Sequence, residues 1–146
     1  VFERLKNEGL SLWAGIDETI KENIKAIIFE AFTEGLSPLE VADKIVRLSD
    51  KFVKKEALII ARTEIISAAN KGALEGALRT NFVQYKEWVS GRDSRTRPAH
   101  KRAHGQRVGI KEPFIVDGEQ LMHPGDRAGS AKNIVRCRCV MLFFTE

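Results

Sequence analysis

Long apolar runs are missing from this chain. The two longest, 57–61 and 140–144, are five residues each, against the roughly 18 that a membrane span requires, so no membrane partner is expected and the protein is expected to be soluble. Cysteine is nearly absent. The only two, Cys137 and Cys139, are separated by a single residue, a poor spacing for stapling a secreted fold. A reducing compartment is expected, in which the pair stays reduced or binds metal. The opening residues carry no charged, apolar and small-residue succession of the signal-peptide kind; Val1 begins in mid-pattern, and the sequence is expected to be part of a longer chain. None of the three histidines is followed two residues later by glutamate, which excludes the H-x-E zinc deaminases. A G-x-x-x-x-G-K-S/T phosphate loop and a G-x-S-x-G nucleophile elbow are also missing, which removes the common nucleotide-hydrolysing and acyl-transfer classes.

What is present suffices for one domain. With 146 residues, 43% of them apolar, the chain can bury a sizeable core, and a single domain over 1–146 is expected. The net charge of +4 is unevenly spread: between Gly91 and Arg107 lie Arg92, Arg95, Arg97, Lys101, Arg102 and Arg107 against Asp93 alone. Charge concentrated in this way suits phosphate or an acidic partner, and a solvated loop between strands is the other reading.

Residues 1–80 carry a helical period. Asp17 is placed to cap a helix with Ile20, Ile24, Ile27, Ile28 and Phe32 on one face, and Gly35 to stop it. Ser37-Pro38-Leu39-Glu40 reads as a capping box with proline at the first helical position, launching Val41, Ile45 and Leu48. A third helix is predicted from Lys54 to about Arg79, with Leu58, Ala61, Ile65, Ala69 and Gly72 as its inward stripe; the Gly72 and Gly76 pair predicts tight packing there. From residue 81 onward the texture changes to short alternating segments broken by Gly, Pro and Asp. Strands are predicted at Val83–Val89, Phe114–Val116 and Arg136–Phe144, with a helical turn at Ser130–Ile134. The fold class expected is α+β, an N-terminal helical half packed beside a small, mainly antiparallel sheet.

Two groups of residues carry chemistry. Arg62 is expected at the boundary of the core, pinning a neighbouring carbonyl or carboxylate. The second group is His100 with Cys137 and Cys139. On a strand, the two thiols would share one side, and four N/S ligands are what structural zinc takes. The zinc reading makes His100, Cys137 and Cys139 the ligands, with Asp93, His104 or His123 in fourth place. The alternative makes the cysteines small buried hydrophobes. A nucleic-acid-binding or metal-assisted nuclease domain using His100 and the Arg92–Arg107 segment is the rival function; an enzyme calls for an open cleft with His100 exposed, whereas an assembly module calls for His100 locked by packing or metal.

Four motifs follow one another in an order that resembles a known family. They are Ala61-Arg62-Thr63-Glu64 with Ala68, Ala69 and Asn70; Trp88 ahead of Asp93-Ser94-Arg95-Thr96-Arg97-Pro98-Ala99-His100; Gly105, Pro113-Phe114, Gly118 and Pro124-Gly125; and Cys137-Arg138-Cys139. Together they resemble the C-terminal domain of bacteriophage minor head proteins of the phage Mu F / SPP1 gene-7 type, over about Ile60 to Cys139. That resemblance implies a non-enzymatic head-morphogenesis module. Its partners would be the portal or major capsid protein, its place the capsid interior of a virion assembled in the host bacterial cytoplasm, and its basic loop could face packaged DNA. It gives Arg62, Thr63, Glu64 and Asn70 structural places, and no role to His104 or His123.

Overall fold

The computed structural model describes residues 16–146; the part of the helical half at 1–15 lies outside them. Helix α1 spans Glu18–Glu34, started by Asp17, whose carboxylate accepts from the Thr19 N–H at 2.8 Å, and ended by Gly35 at φ 70°. Helix α2, Pro38–Val46, begins on the predicted capping box, with Ser37 and Glu40 exchanging both bonds. Helix α3 is a single 27-residue rod, Lys54–Thr80.

The inward faces differ from expectation at their edges. On α1, Ile24, Ile27, Ile28 and Ala31 are buried, whereas Phe32 is 53% exposed: Ala31 takes the next contact position and turns Phe32 away from the core. On α3 the predicted stripe is displaced. Ala69 and Gly72 face solvent, and a Cβ built on Gly72 or Gly76 meets nothing within 4 Å. Ala61 is buried as expected, and the other buried positions are Ala57, Ile59 and Ile60, then Thr63, Glu64, Ser67 and Asn70, then Leu74 and Ala77. The middle of this face is polar because it meets loop backbone rather than another apolar element.

Beyond α3 come strand β1 (Tyr85–Val89), helix α4 (Pro98–Ala103), strands β2 (Arg107–Gly109), β3 (Phe114–Val116) and β4 (Glu119–Leu121), helix α5 (Ala131–Ile134) and strand β5 (Val140–Phe144). β1 is the central strand of an antiparallel sheet in the order β2-β1-β5, with Trp88 opposite Met141 and Lys86 opposite Val108 and Phe143. β3 and β4 form a separate hairpin whose two-residue turn, Asp117-Gly118, has both φ angles positive, at 50° and 79°, as a type I′ turn requires. The fold is therefore α+β. The predicted final strand is shorter than expected: it pairs only from Val140, and 136–139 run irregularly, with Arg136 at φ 56°.

Apolar side chains gather in two clusters. One joins α1, α2 and the start of α3, closed by Ala131, Ile134 and Val135. The other lies under the sheet and contains Leu74, Trp88, Ala103, Phe114, Leu121, Cys137, Cys139 and Met141.

Candidate metal centre

Pro98 at the start of α4 fixes the first turn, which lays His100 inward at 2% exposure, edge-on to Trp88 with ring centroids 5.5 Å apart. The extended backbone after Arg136 alternates. Cys137 and Cys139 point in at 2% exposure each, and Arg136 and Arg138 point out. His100 Nδ1 thereby lies 3.8 Å from Cys137 Sγ and 3.4 Å from Cys139 Sγ, and the ligand atoms of all three residues lie within 4.8 Å of one another. Zinc–nitrogen bonds of about 2.05 Å and zinc–sulfur bonds of about 2.3 Å in a tetrahedron put N and S about 3.5 Å apart, close to both separations. The cluster offers three corners of such a tetrahedron.

Its surroundings favour the anionic form of one sulfur, that of Cys137. The thiol of Cys137 is drawn well below the usual range, first by a hydrogen bond from Cys139 and further by His100; Cys139 is pushed up by the same partnership and by burial. The buried Trp88 N–H has no oxygen or nitrogen acceptor, yet it favours a negative charge on Cys139. Arg97, partly desolvated, donates to the Val135 carbonyl and lies close enough for its cation to be supported by the two sulfurs. A thiolate pair would thus meet an indole N–H and a guanidinium that find little else to satisfy them here. His100 Nε2 is likewise buried without a partner.

The three candidates for a fourth ligand are placed in other sets. Asp93 chelates the Arg138 guanidinium with bonds of 2.7 and 2.8 Å, which hold its carboxyl far below the usual carboxylate range, and it also accepts from Thr96. His104 Nδ1 lies 3.1 Å from the Ser90 N–H as its acceptor. His123 sits across α3, its Nδ1 2.9 Å from the Pro124 carbonyl, lining a cavity of about 400 Å³ with Glu64, Ser67 and Arg127. Among the described residues, only His100, Cys137 and Cys139 form a metal-capable group.

The Ala61-Arg62-Thr63-Glu64 segment is a polar clamp, though not through Arg62. Expected to pin a neighbour, Arg62 is exposed, with no side-chain hydrogen bond or ion pair among the described residues, because its position on α3 falls one step outside the buried face. Its neighbours do the pinning. The Thr63 hydroxyl accepts from the Arg136 N–H at 3.0 Å, Ser67 donates to the Gly125 carbonyl at 2.7 Å, and Asn70 Nδ2 donates to the Cys139 carbonyl at 3.0 Å. Glu64, 4% exposed, is paired with Arg127; burial raises its carboxyl pKa against the pull of that guanidinium. One helix face thus holds two C-terminal loops, including the backbone on both sides of Cys137.

The basic segment does not form one surface. Arg107 pairs with Glu87 at 3.2 Å and covers the Phe144 ring, and Arg102 approaches Asp117 at 4.0 Å; Arg92 is exposed on a turn at φ 55° and Lys101 is exposed on α4. Arg95 and Arg97 turn the other way, into a groove beside α3.

Sequence reading missed several of these groups. Ser67 and Arg127 carried no motif. Lys86, fully buried in the central strand, donates to the Met122 carbonyl at 2.6 Å and lies over the Phe114 ring; burial holds its ammonium down to about 8 against the pull of Asp126 and Glu112. The alternation Tyr85, Glu87, Val89 against Lys86, Trp88 was the available signal, since it puts Lys86 on the same inward face as Trp88.

The order and chemistry of these motifs coincide with a family pattern. The sequence model described as Phage Mu protein F like protein matches residues 22–142, a span that holds α2, α3 and the His/Cys cluster together with most of α1 and of the sheet. The chain belongs to this family. The match extends the resemblance seen from Ile60 to Cys139 back through α1 and α2, which sequence reading could assign only as generic helices. No curated protein and no solved structure matches the chain. As a Phage Mu protein F-like chain it is a phage head-type protein, and no helix among its described residues is long and apolar enough to cross a membrane.

Proposed function

We propose that this domain is a non-enzymatic assembly module of a phage head, docking on the portal or the inner face of the capsid with basic surface towards packaged DNA, and that its His100/Cys137/Cys139 cluster holds a structural zinc. Family membership over 22–142 carries the assembly reading. The burial of His100 supports the absence of catalysis: at 2% exposure, with Nδ1 facing two sulfurs, it offers no substrate a proton acceptor. Zinc would tie the loop from α4 to Cys137 at its base and contribute its binding free energy to folding. The donor set of one imidazole and two thiols suits that ion, and a water or a partner's side chain would complete it.

The test is association. Purified domain is mixed with the portal protein and, separately, the major capsid protein of the phage that encodes it, and complexes are sought by co-sedimentation; failure with both sinks the assembly reading. A parallel incubation with plasmid and divalent metals addresses the rival nuclease, which would require cleavage abolished by His100→Ala.

A further inference from the structure

The outward-facing residues of the His/Cys turn open onto a groove of about 600 Å³, into which Arg62, Arg95, Arg97, Arg136 and Arg138 project over a floor that includes Ile65 and Ile66. We infer that this groove is a binding site for the phosphodiester backbone of nucleic acid. The inference rests on the DNA-facing reading above and deepens it: the contact is a built groove, three of whose arginines, Arg62, Arg136 and Arg138, lie outside the basic 91–107 segment altogether.

Three observations carry it. First, the composition is one-sided. Five arginines line the groove, with no lysine and no acidic side chain among the lining residues; Asp93 touches it only through its chelate with Arg138. Guanidinium forks match phosphate oxygens two at a time, which an ammonium cannot do. Second, the arginines are aimed by backbone and not left to solvent. Arg136 is a non-glycine residue in the left-handed region at φ 56°, held there by its N–H bond to Thr63, a conformation that costs free energy and persists where the surroundings enforce it. The inward anchoring of Cys137 and Cys139 forces Arg138 outward between them. Third, Arg62 and Arg95 make no side-chain hydrogen bond or ion pair among the described residues, so their charge is available.

So many cations in one groove call for a partner whose anions are as closely spaced. Duplex DNA carries about one charge per 1.7 Å of axis, a density that an acidic peptide, with side chains alternating in direction, does not sustain along one face. The isoleucine floor accommodates sugar and base edges, which need no hydrogen bonds there.

The test uses the 146-residue chain alone, so it is independent of portal or capsid docking. A mixed-sequence duplex is titrated at several salt concentrations. The wild type is expected to bind without sequence preference, with affinity falling steeply with salt. Arg62→Gln with Arg136→Asn, asparagine being chosen because it tolerates the left-handed backbone, should weaken binding at least tenfold and reduce the salt slope by about two. Lys101→Gln with Arg102→Gln, both outside the groove, should leave the slope unchanged. If the Arg136 variant melts early, Arg62→Gln with Arg95→Gln takes its place. Equal losses from the Lys101/Arg102 pair would overturn the groove in favour of a diffuse basic surface, and no binding by the wild type at low salt would overturn it outright. Tighter binding of polyglutamate than of DNA at matched charge would assign the groove to an acidic protein.

Discussion

Asn70 and Cys139 are joined by a buried hydrogen bond: the Asn70 amide donates to the Cys139 carbonyl at 3.0 Å, linking the middle of α3 to the residue that closes the His/Cys cluster. A helix carrying an asparagine on its inner face gives up apolar burial there, so the bond is the reason that residue is tolerated. Asn70→Leu should therefore destabilise the fold by about 1–3 kcal/mol, since it strands a buried carbonyl. Urea midpoints measure this; an unchanged midpoint would mean the carbonyl finds water and the clamp is not needed.

Metal content separates the two readings of the cysteines. Element analysis of the purified chain is expected to find zinc, lost in Cys137→Ser with Cys139→Ser, and chelator should lower the melting temperature of the wild type but not of that variant. If chelator has no effect, the sulfurs are packed hydrophobes, and His100→Ala should still cost about 1–3 kcal/mol through the lost buried contact.

Two glycines should respond in opposite ways. Gly72 has open space around it on the exposed side of α3, so Gly72→Ala should stabilise by about 0.5–1 kcal/mol through helix propensity alone. Gly125 has φ +79° and its Cβ would stand 3.0 Å from the Ser67 Cα. There, Gly125→Ala combines strain with a backbone clash and should cost more than about 1 kcal/mol. Thermal melts of both variants check the contrast.

Lys86 makes stability rise with alkaline pH. Its folded-state pKa is about 8, below the ordinary 10.5, so between those values the unfolded chain holds a proton that the folded chain has released. Unfolding then takes up protons, and raising the pH favours the folded state. The penalty is full below pH 8 and is relieved towards 10.5, by up to about 3 kcal/mol. Lys86→Met should remove that rise when the two proteins are compared across the window, and parallel curves would show that the ammonium is hydrated.

The sequence was most legible where local chemistry acts alone. Asp17, Gly35 and the Ser37/Glu40 box set helix ends through bonds within a turn, and such bonds need no knowledge of the fold. The α3 stripe was misplaced because a search for apolar periodicity skips Thr63, Glu64, Ser67 and Asn70, whose burial makes sense only once the loops they hold are known. The β3–β4 hairpin had a signal that went unused, Asp117-Gly118 between short apolar pieces. The meeting of His100 with Cys137 and Cys139 could be expected from donor chemistry. The Arg62/Arg136 groove could not, because it joins residues 74 positions apart through a bend at Arg136 that no local rule announces.

The length of α3 has a consequence for how this protein can be taken apart. Its first turns, with Ala57, Ile60 and Ala61, belong to the helical cluster, and its later turns, with Leu74, to the cluster under the sheet. The change of texture near residue 80 looks like a seam, yet the rod ending there is a structural part of both sides. A truncation at that point would leave the helices with an exposed polar groove and the strands without their backing. A cut anywhere along this rod would strip one cluster of its backing, so expression, fusion or transplantation has to carry both sides of α3 together.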